Sequence, residues 1–232
     1  MSLRAMKRIV LLAIVAAIIP ACKGSAADKA PTVVKFSPNT NGAPRCPIIY
    51  VQFNRPLNPA TVTTANVFLD SLLVNETITV SYNDALKEIR IVPTTDLAAS
   101  TDFQITIMPG IESADGFASP GELLFFRTAP GGTANRPTFA GVDALTAPSP
   151  TSIKVDWLVA TDPDASTVTY DVFIATESGG EDMTKTPKDS VGVLTSTITG
   201  LTSGTQYFVK VRARNSAGNL DINNVEMNVT TP

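Results

Sequence analysis

Apolar and polar residues alternate in short runs along most of this chain. Ile78, Val80 and Tyr82 alternate with Thr77, Thr79 and Ser81. Ile89 and Ile91 alternate with Glu88 and Arg90, and Phe103, Ile105 and Ile107 with Gln104 and Thr106. Thr32 to Phe36, Ile48 to Phe53 and Leu123 to Arg127 complete a first set of strands. Period two with one polar face predicts antiparallel sheets packed on one side. The competing helical stretch is Asn58 to Leu69, where a short turn follows Pro59. A second set begins after residue 137. Ile153, Val155 and Trp157 share one strand face, and Tyr170, Val172 and Ile174 share another. Tyr207, Val209, Val211 and Ala213 alternate with Phe208, Lys210, Arg212 and Arg214, and Val225, Met227 and Val229 finish the set. The fold class is all-β, with two β-sandwich domains in tandem at 32–129 and 137–232. The linker, 130–136, contains Gly131-Gly132 between small polar residues and reads as flexible.

The N-terminus breaks this pattern. Arg4, Lys7 and Arg8 precede an uncharged apolar run of 11 residues, Ile9 to Ile19, and then Ala21-Cys22. A basic head, a short apolar run and a small residue at the cut make a cleaved signal peptide over 1–21. A spanning helix needs about 20 apolar residues. Residues 22–31 form a polar tether.

Composition then narrows the function. There is no histidine, which removes histidine acid–base chemistry, histidine triads and histidine metal ligands. Cys22 and Cys46 are the two cysteines, too few for a disulfide framework or a thiolate zinc site. The net charge is −3 and the basic residues of the mature chain are scattered, which excludes a nucleic-acid surface. No Gly-rich nucleotide loop is present, so neither an enzyme nor a small-molecule substrate is expected.

Three resemblances follow from quoted residues. Ile19-Pro20-Ala21-Cys22 resembles the lipobox of bacterial lipoproteins. That resemblance implies cleavage before Cys22, lipidation of its sulfur, and membrane attachment. Lys23 after it resembles an outer-membrane or cell-surface address. Ordinary cleavage near Ser25-Ala26-Ala27 is the alternative and would give a secreted protein. In that case Cys22 and Cys46 could close a disulfide, whereas a lipidated Cys22 leaves Cys46 a lone thiol. Ile49 to Leu57, with Phe53-Asn54-Arg55-Pro56 before a turn, then Asn66-Val67-Phe68, Ile89 to Pro93, Thr101 to Thr106 and Phe126-Arg127-Thr128, resemble the bacterial Ig-like domains of surface-layer proteins. Trp157, Tyr170, Gly200-Leu201, Gly204 to Tyr207, Val209 to Asn215 and Gly218-Asn219 resemble a fibronectin type III domain. That resemblance makes Trp157, Tyr170, Leu201 and Tyr207 structural, with the Tyr207 hydroxyl bonding back to the preceding turn.

Few constellations could carry chemistry. Asp162 and Asp164 lie between the Trp157 and Tyr170 strands, and Asp221 lies in the loop before the last strand. Calcium is held by such loop carboxylates. Asp as turn former and solubiliser is the alternative, and no metal or cofactor is expected. Glu181-Asp182 is adjacent in one loop rather than across a cleft and reads as solvated. Carbohydrate binding asks for exposed aromatic platforms, and Phe117 is the one clear loop aromatic. The sequence therefore reads as a non-catalytic cell-envelope lipoprotein. Its modules space, present or bind a protein partner or surface polymer, and a carbohydrate-binding accessory module is the alternative.

Overall fold

The computed structural model describes residues 29–71, 74–132 and 135–232. The segment read as a signal peptide, Cys22 and most of the expected tether lie outside them. No helix among the described residues is long and apolar enough to cross a membrane.

The first module contains β1 (Val33–Ser37), β2 (Asn41–Ala43), β3 (Ile49–Phe53), β4 (Val67–Ser71), β5 (Ile78–Asn83), β6 (Glu88–Pro93), β7 (Asp102–Ile107) and β8 (Glu122–Thr128). They form two four-stranded sheets, β1-β3-β6-β5 and β2-β8-β7-β4. Pairing is antiparallel except for β2, which runs parallel to β8. The predicted alternation decides which side chains meet between the sheets. Ile49, Val51 and Phe53 of β3 and Ile89 and Ile91 of β6 point inward, against Leu69, Phe103, Ile105, Ile107 and Phe126. The Phe103 and Phe126 rings stack at 5.5 Å. The turn after Asn58 is a single 3-10 turn, Pro59–Thr61, capped by the Asn58 side chain on the Ala60 amide.

The second module contains β9 (Val142–Ser149), β10 (Ser152–Trp157), β11 (Val168–Ala175), β12 (Asp189–Val191), β13 (Thr195–Thr199), β14 (Gln206–Asn215) and β15 (Met227–Thr230). Its sheets are β13-β10-β9 and β12-β11-β14-β15. Ile153, Val155, Trp157, Tyr170, Val172, Val209, Val211 and Ala213 form its core. The chain is all-β, two sandwiches in tandem.

One expectation fails. At its β3–β6 centre the polar face of β1-β3-β6-β5 does not face water, because the second module covers it there, while Thr79 and Ser81 on the edge strand β5 stay exposed. Glu88 is 3% exposed and Tyr50 5%. Glu88 keeps a polar partner there, accepting from Gln52, and Tyr50 lies beside the Arg212 and Arg90 guanidiniums.

Candidate functional site

The register of the first sheet aligns its outward side chains in two rows. Lys35, Gln52, Glu88 and Asn83 form one, and Ser37, Tyr50, Arg90 and Ser81 the next. Each row meets its own segment of the second module.

The first row meets the loop between β11 and β12. The Asn83 Nδ2 donates to the Gly179 carbonyl at 2.8 Å. Lys35 donates to the Thr184 hydroxyl and lies 3.8 Å from Asp182 Oδ2. Gln52 Nε2 donates to Glu88 Oε2 at 3.0 Å. The Glu181-Asp182 pair is not solvated as expected: Glu181 is 2% exposed and the Asp182 side chain 8%. Charge compensation makes this burial tolerable. Lys210 Nζ lies 2.9 Å from Glu181 and 3.0 Å from Glu226. Burial works against the Lys210 charge, yet the two carboxylates hold its pKa above the ordinary value. Burial likewise opposes ionisation of Glu226, but bonds from Ser178, the Gly179 amide and Lys210 hold it down to about 2.

The second row meets the β14–β15 connection. Arg90 donates to Asn224 Oδ1 at 2.9 Å and to the Ile222 carbonyl at 3.2 Å. Arg212, 2% exposed, pairs with Asp221 at 3.2 Å and also donates to the Asp221 carbonyl. The linker joins in. Arg136 donates to Leu220 O and Pro47 O, each at 2.9 Å. The Cys46 amide donates to Asn219 Oδ1 at 3.0 Å. Gly218 sits at φ +82, and a Cβ there would lie 3.2 Å from Pro44 Cγ, so the tip of this turn needs glycine on both counts. The Cys46 thiol is buried and donates to Asp96 at 3.2 Å. Burial, reinforced by that bond, pushes its pKa up to about 12.

The calcium candidates are not brought together. Asp221 is spent inside the protein: Oδ2 accepts the Ala213 amide at 2.6 Å and faces Arg212, while Oδ1 accepts the Asn223 amide at 2.7 Å. Asp162 Oδ1 accepts the Asp164 amide and Asp164 Oδ1 accepts Asn135 Nδ2, at 3.1 and 2.8 Å. Among the described residues no group of three Asp, Glu or Cys could hold a metal ion. The four structural residues lie in the second core. The Trp157 and Tyr170 rings pack tilted at 44°, 5.5 Å apart, the Tyr170 hydroxyl accepts the Ala160 amide at 2.8 Å, and the Tyr207 hydroxyl accepts the Thr202 amide at 3.0 Å. Leu201 packs partly buried against them. Two depressions of about 200 and 210 Å³ lie beside β4 and Phe173. Both are smaller than ordinary ligand pockets.

Phe117, the loop aromatic, is half-buried, and the Lys29 ammonium lies 5.2 Å from its ring centre. The ring that faces solvent is Phe125 on β8, 58% exposed, beside Leu123 at 47%. Alternation around the inward Leu124 and Phe126 was the signal that could have found it.

Comparison with known proteins agrees with the two architectures. Residues 27–128 match the family model of the bacterial Ig-like domain, and residues 136–225 that of the fibronectin type III domain. The chain thus carries a bacterial Ig-like domain followed by a fibronectin type III domain, the kinds of domain used in cell-surface structural and binding modules. It is 30% identical over 174 residues to Exoglucanase B of Cellulomonas fimi, across 73% of this chain. It spans only 14% of that relative's length. Among solved structures it is similar to the sixth fibronectin type III domain of human fibronectin type III domain containing protein 3 (19% identity, 44% of this chain, 90% of that one, TM-score 0.33). It is also similar to domains 1–6 of the surface layer protein SbsC (9% identity, 89% of this chain, 26% of that one, TM-score 0.39).

Proposed function

We propose that this protein is a non-catalytic lipoprotein of the cell envelope, held to the outer membrane or cell surface through Cys22. Its two modules act as a fixed spacer that presents a binding surface to a protein partner or surface polymer. The observation that carries the reading is the use made of the buried charges. Arg212, Asp221, Lys210, Glu181 and Arg136 are committed to one another or to backbone carbonyls. None lines either of the two depressions beside β4 and Phe173, whereas a catalytic acid, base or nucleophile must reach a substrate. Nucleic acid and small-molecule substrates have no place in it.

The test is made on the protein expressed from its full sequence in a bacterial envelope. The protein partitions into detergent, intact mass shows several acyl chains on Cys22, and Cys22→Ala stays in the aqueous phase. A mature protein without lipid and with a Cys22–Cys46 bridge overturns the anchor. Pull-down from intact envelopes then identifies the partner.

A second reading, a carbohydrate-binding accessory module, is favoured by Phe125. Its ring stands out from the β8 face and offers a stacking surface, and a relative of part of this chain is an exoglucanase. A glycan array separates the two readings: binding that Phe125→Ala removes supports the second, and a blank array supports the first.

A further inference from the structure

We propose that the joint between the two modules is a pH-sensitive device whose switch is the Glu88 carboxyl, closed over by the Asp182 loop. Geometry places the switch. Glu88 opens β6 at the centre of the first outward row, between Gln52 and Asn83. The row is held to the second module at its two ends, by Lys35 on Thr184 and Asp182 and by Asn83 on Gly179. Glu88 is thereby shut beneath the 179–184 segment.

The charged groups around it are few. Lys35 on β1 and Arg90 on β6 favour its ionised form, and Asp182 opposes it. From β3 it receives the neutral amide of Gln52 and faces the Tyr50 hydroxyl, whose ionisation it opposes, and β5 offers the neutral Asn83. Lys35 is shared with Asp182, which already holds a bond from the Thr184 amide at 2.9 Å. A second carboxylate in the closed joint therefore shares Lys35 with Asp182 and Arg90 with the β14–β15 connection, and it is almost wholly buried. Burial dominates, and the pKa of Glu88 is pushed up to about 7.

The direction follows from linkage. With the joint closed, Glu88 holds its proton to higher pH than when hydrated. Closure is therefore favoured below the ordinary glutamate range and loses ground as pH rises through about 7. Opening hydrates the ionised carboxylate and separates it from Asp182. If the opened joint restores an ordinary glutamate, the open-to-closed ratio rises about 30-fold between about pH 5.5 and 8.5.

Hydrogen–deuterium exchange of the full-length protein reads this ratio. Once rates are corrected for the intrinsic pH dependence of exchange, protection of residues 176–188 falls by up to about 30-fold across that range. Protection of the β10 core does not change. Glu88→Gln carries no titrating proton and stays flat, and Asp182→Asn moves the midpoint to lower pH. In the unaltered protein, the carbon-13 resonance of the Glu88 carboxyl titrates near 7. A carboxyl that titrates at the ordinary glutamate value overturns the proposal. So does wild-type protection that is flat with pH, or a Glu88→Gln curve that follows the wild type.

Discussion

At the scale of single residues, two tyrosines do related work in the second module: each hydroxyl accepts a backbone amide, a buried one at Ala160 and a part-buried one at Thr202. Tyr207 takes the amide of Thr202 and Tyr170 that of Ala160. Removing one partner of a buried hydrogen bond leaves the other's desolvation uncompensated. Tyr207→Phe is therefore expected to destabilise the module by about 1–2 kcal/mol. Trp157→Ala is expected to cost about 3–5 kcal/mol, because the indole packs against Tyr170, which Phe139 backs in turn, and its loss leaves a cavity. Denaturant unfolding of the two variants gives the order; a near-neutral Trp157→Ala would mean the ring is not packed there. These residues were legible in the sequence, because a core side chain announces itself by its apolar type and its register. Asp221 was not. An aspartate in a Gly-Asn loop looks the same whether it faces water or is 1% exposed against an arginine. The sequence offered a calcium role or a turn role, and the structure uses it as the counter-charge of Arg212.

At the scale of elements, that counter-charge makes the β14–β15 connection a folded element rather than a loop. Asp221 ties β14 through Ala213 and Arg212, and it turns the following residues through Asn223. Asp221→Ala leaves a buried guanidinium without its carboxylate, and the expected loss is about 3–5 kcal/mol. Asp221→Asn keeps the acceptor toward Asn223 and is expected to cost less. Thermal unfolding of the two variants checks the order, and equal, small losses would show that water reaches Arg212. Most strands could be read in advance because period two is a strong signal where one face is apolar. Those that could not are informative. β9 is an edge strand carrying Ala144, Thr146, Ala147 and Pro148, with few large apolar side chains to mark a face. β2 consists of Asn41, Gly42 and Ala43, a turn composition that becomes a strand only because β8 lies beside it in parallel. The partner of the polar face was illegible for a simple reason. Outward polar residues satisfy the same alternation whether water or another module satisfies them.

At the scale of the whole molecule, the linker composition and the contacts across it point in opposite directions. Adjacent glycines at 131 and 132 permit independent motion, and relative domain motion is the default when an interface is small and polar. Against that stand Arg136 and Arg90, which bond the β14–β15 connection, and Lys35 and Asn83, which bond the β11–β12 loop. A part-buried hydrogen bond from a charged group, such as Arg136 to Pro47, is worth about 1.5–3 kcal/mol, which outweighs the entropy of a short glycine hinge, and the exposed Arg90 bonds add less. The two modules are therefore expected to tumble as one body at acidic to neutral pH. Nitrogen-15 relaxation of the full-length protein, in detergent if it is lipidated, should give both modules one correlation time. Arg90→Ala combined with Arg136→Ala removes the bonds to Asn224, Ile222, Leu220 and Pro47 without touching either core. It should give two correlation times and faster proteolysis at 130–132. Wild-type modules that already relax separately would refute the fixed joint. The first-row contacts would then be transient, and the chain would act as a flexible tether carrying two independent binding modules.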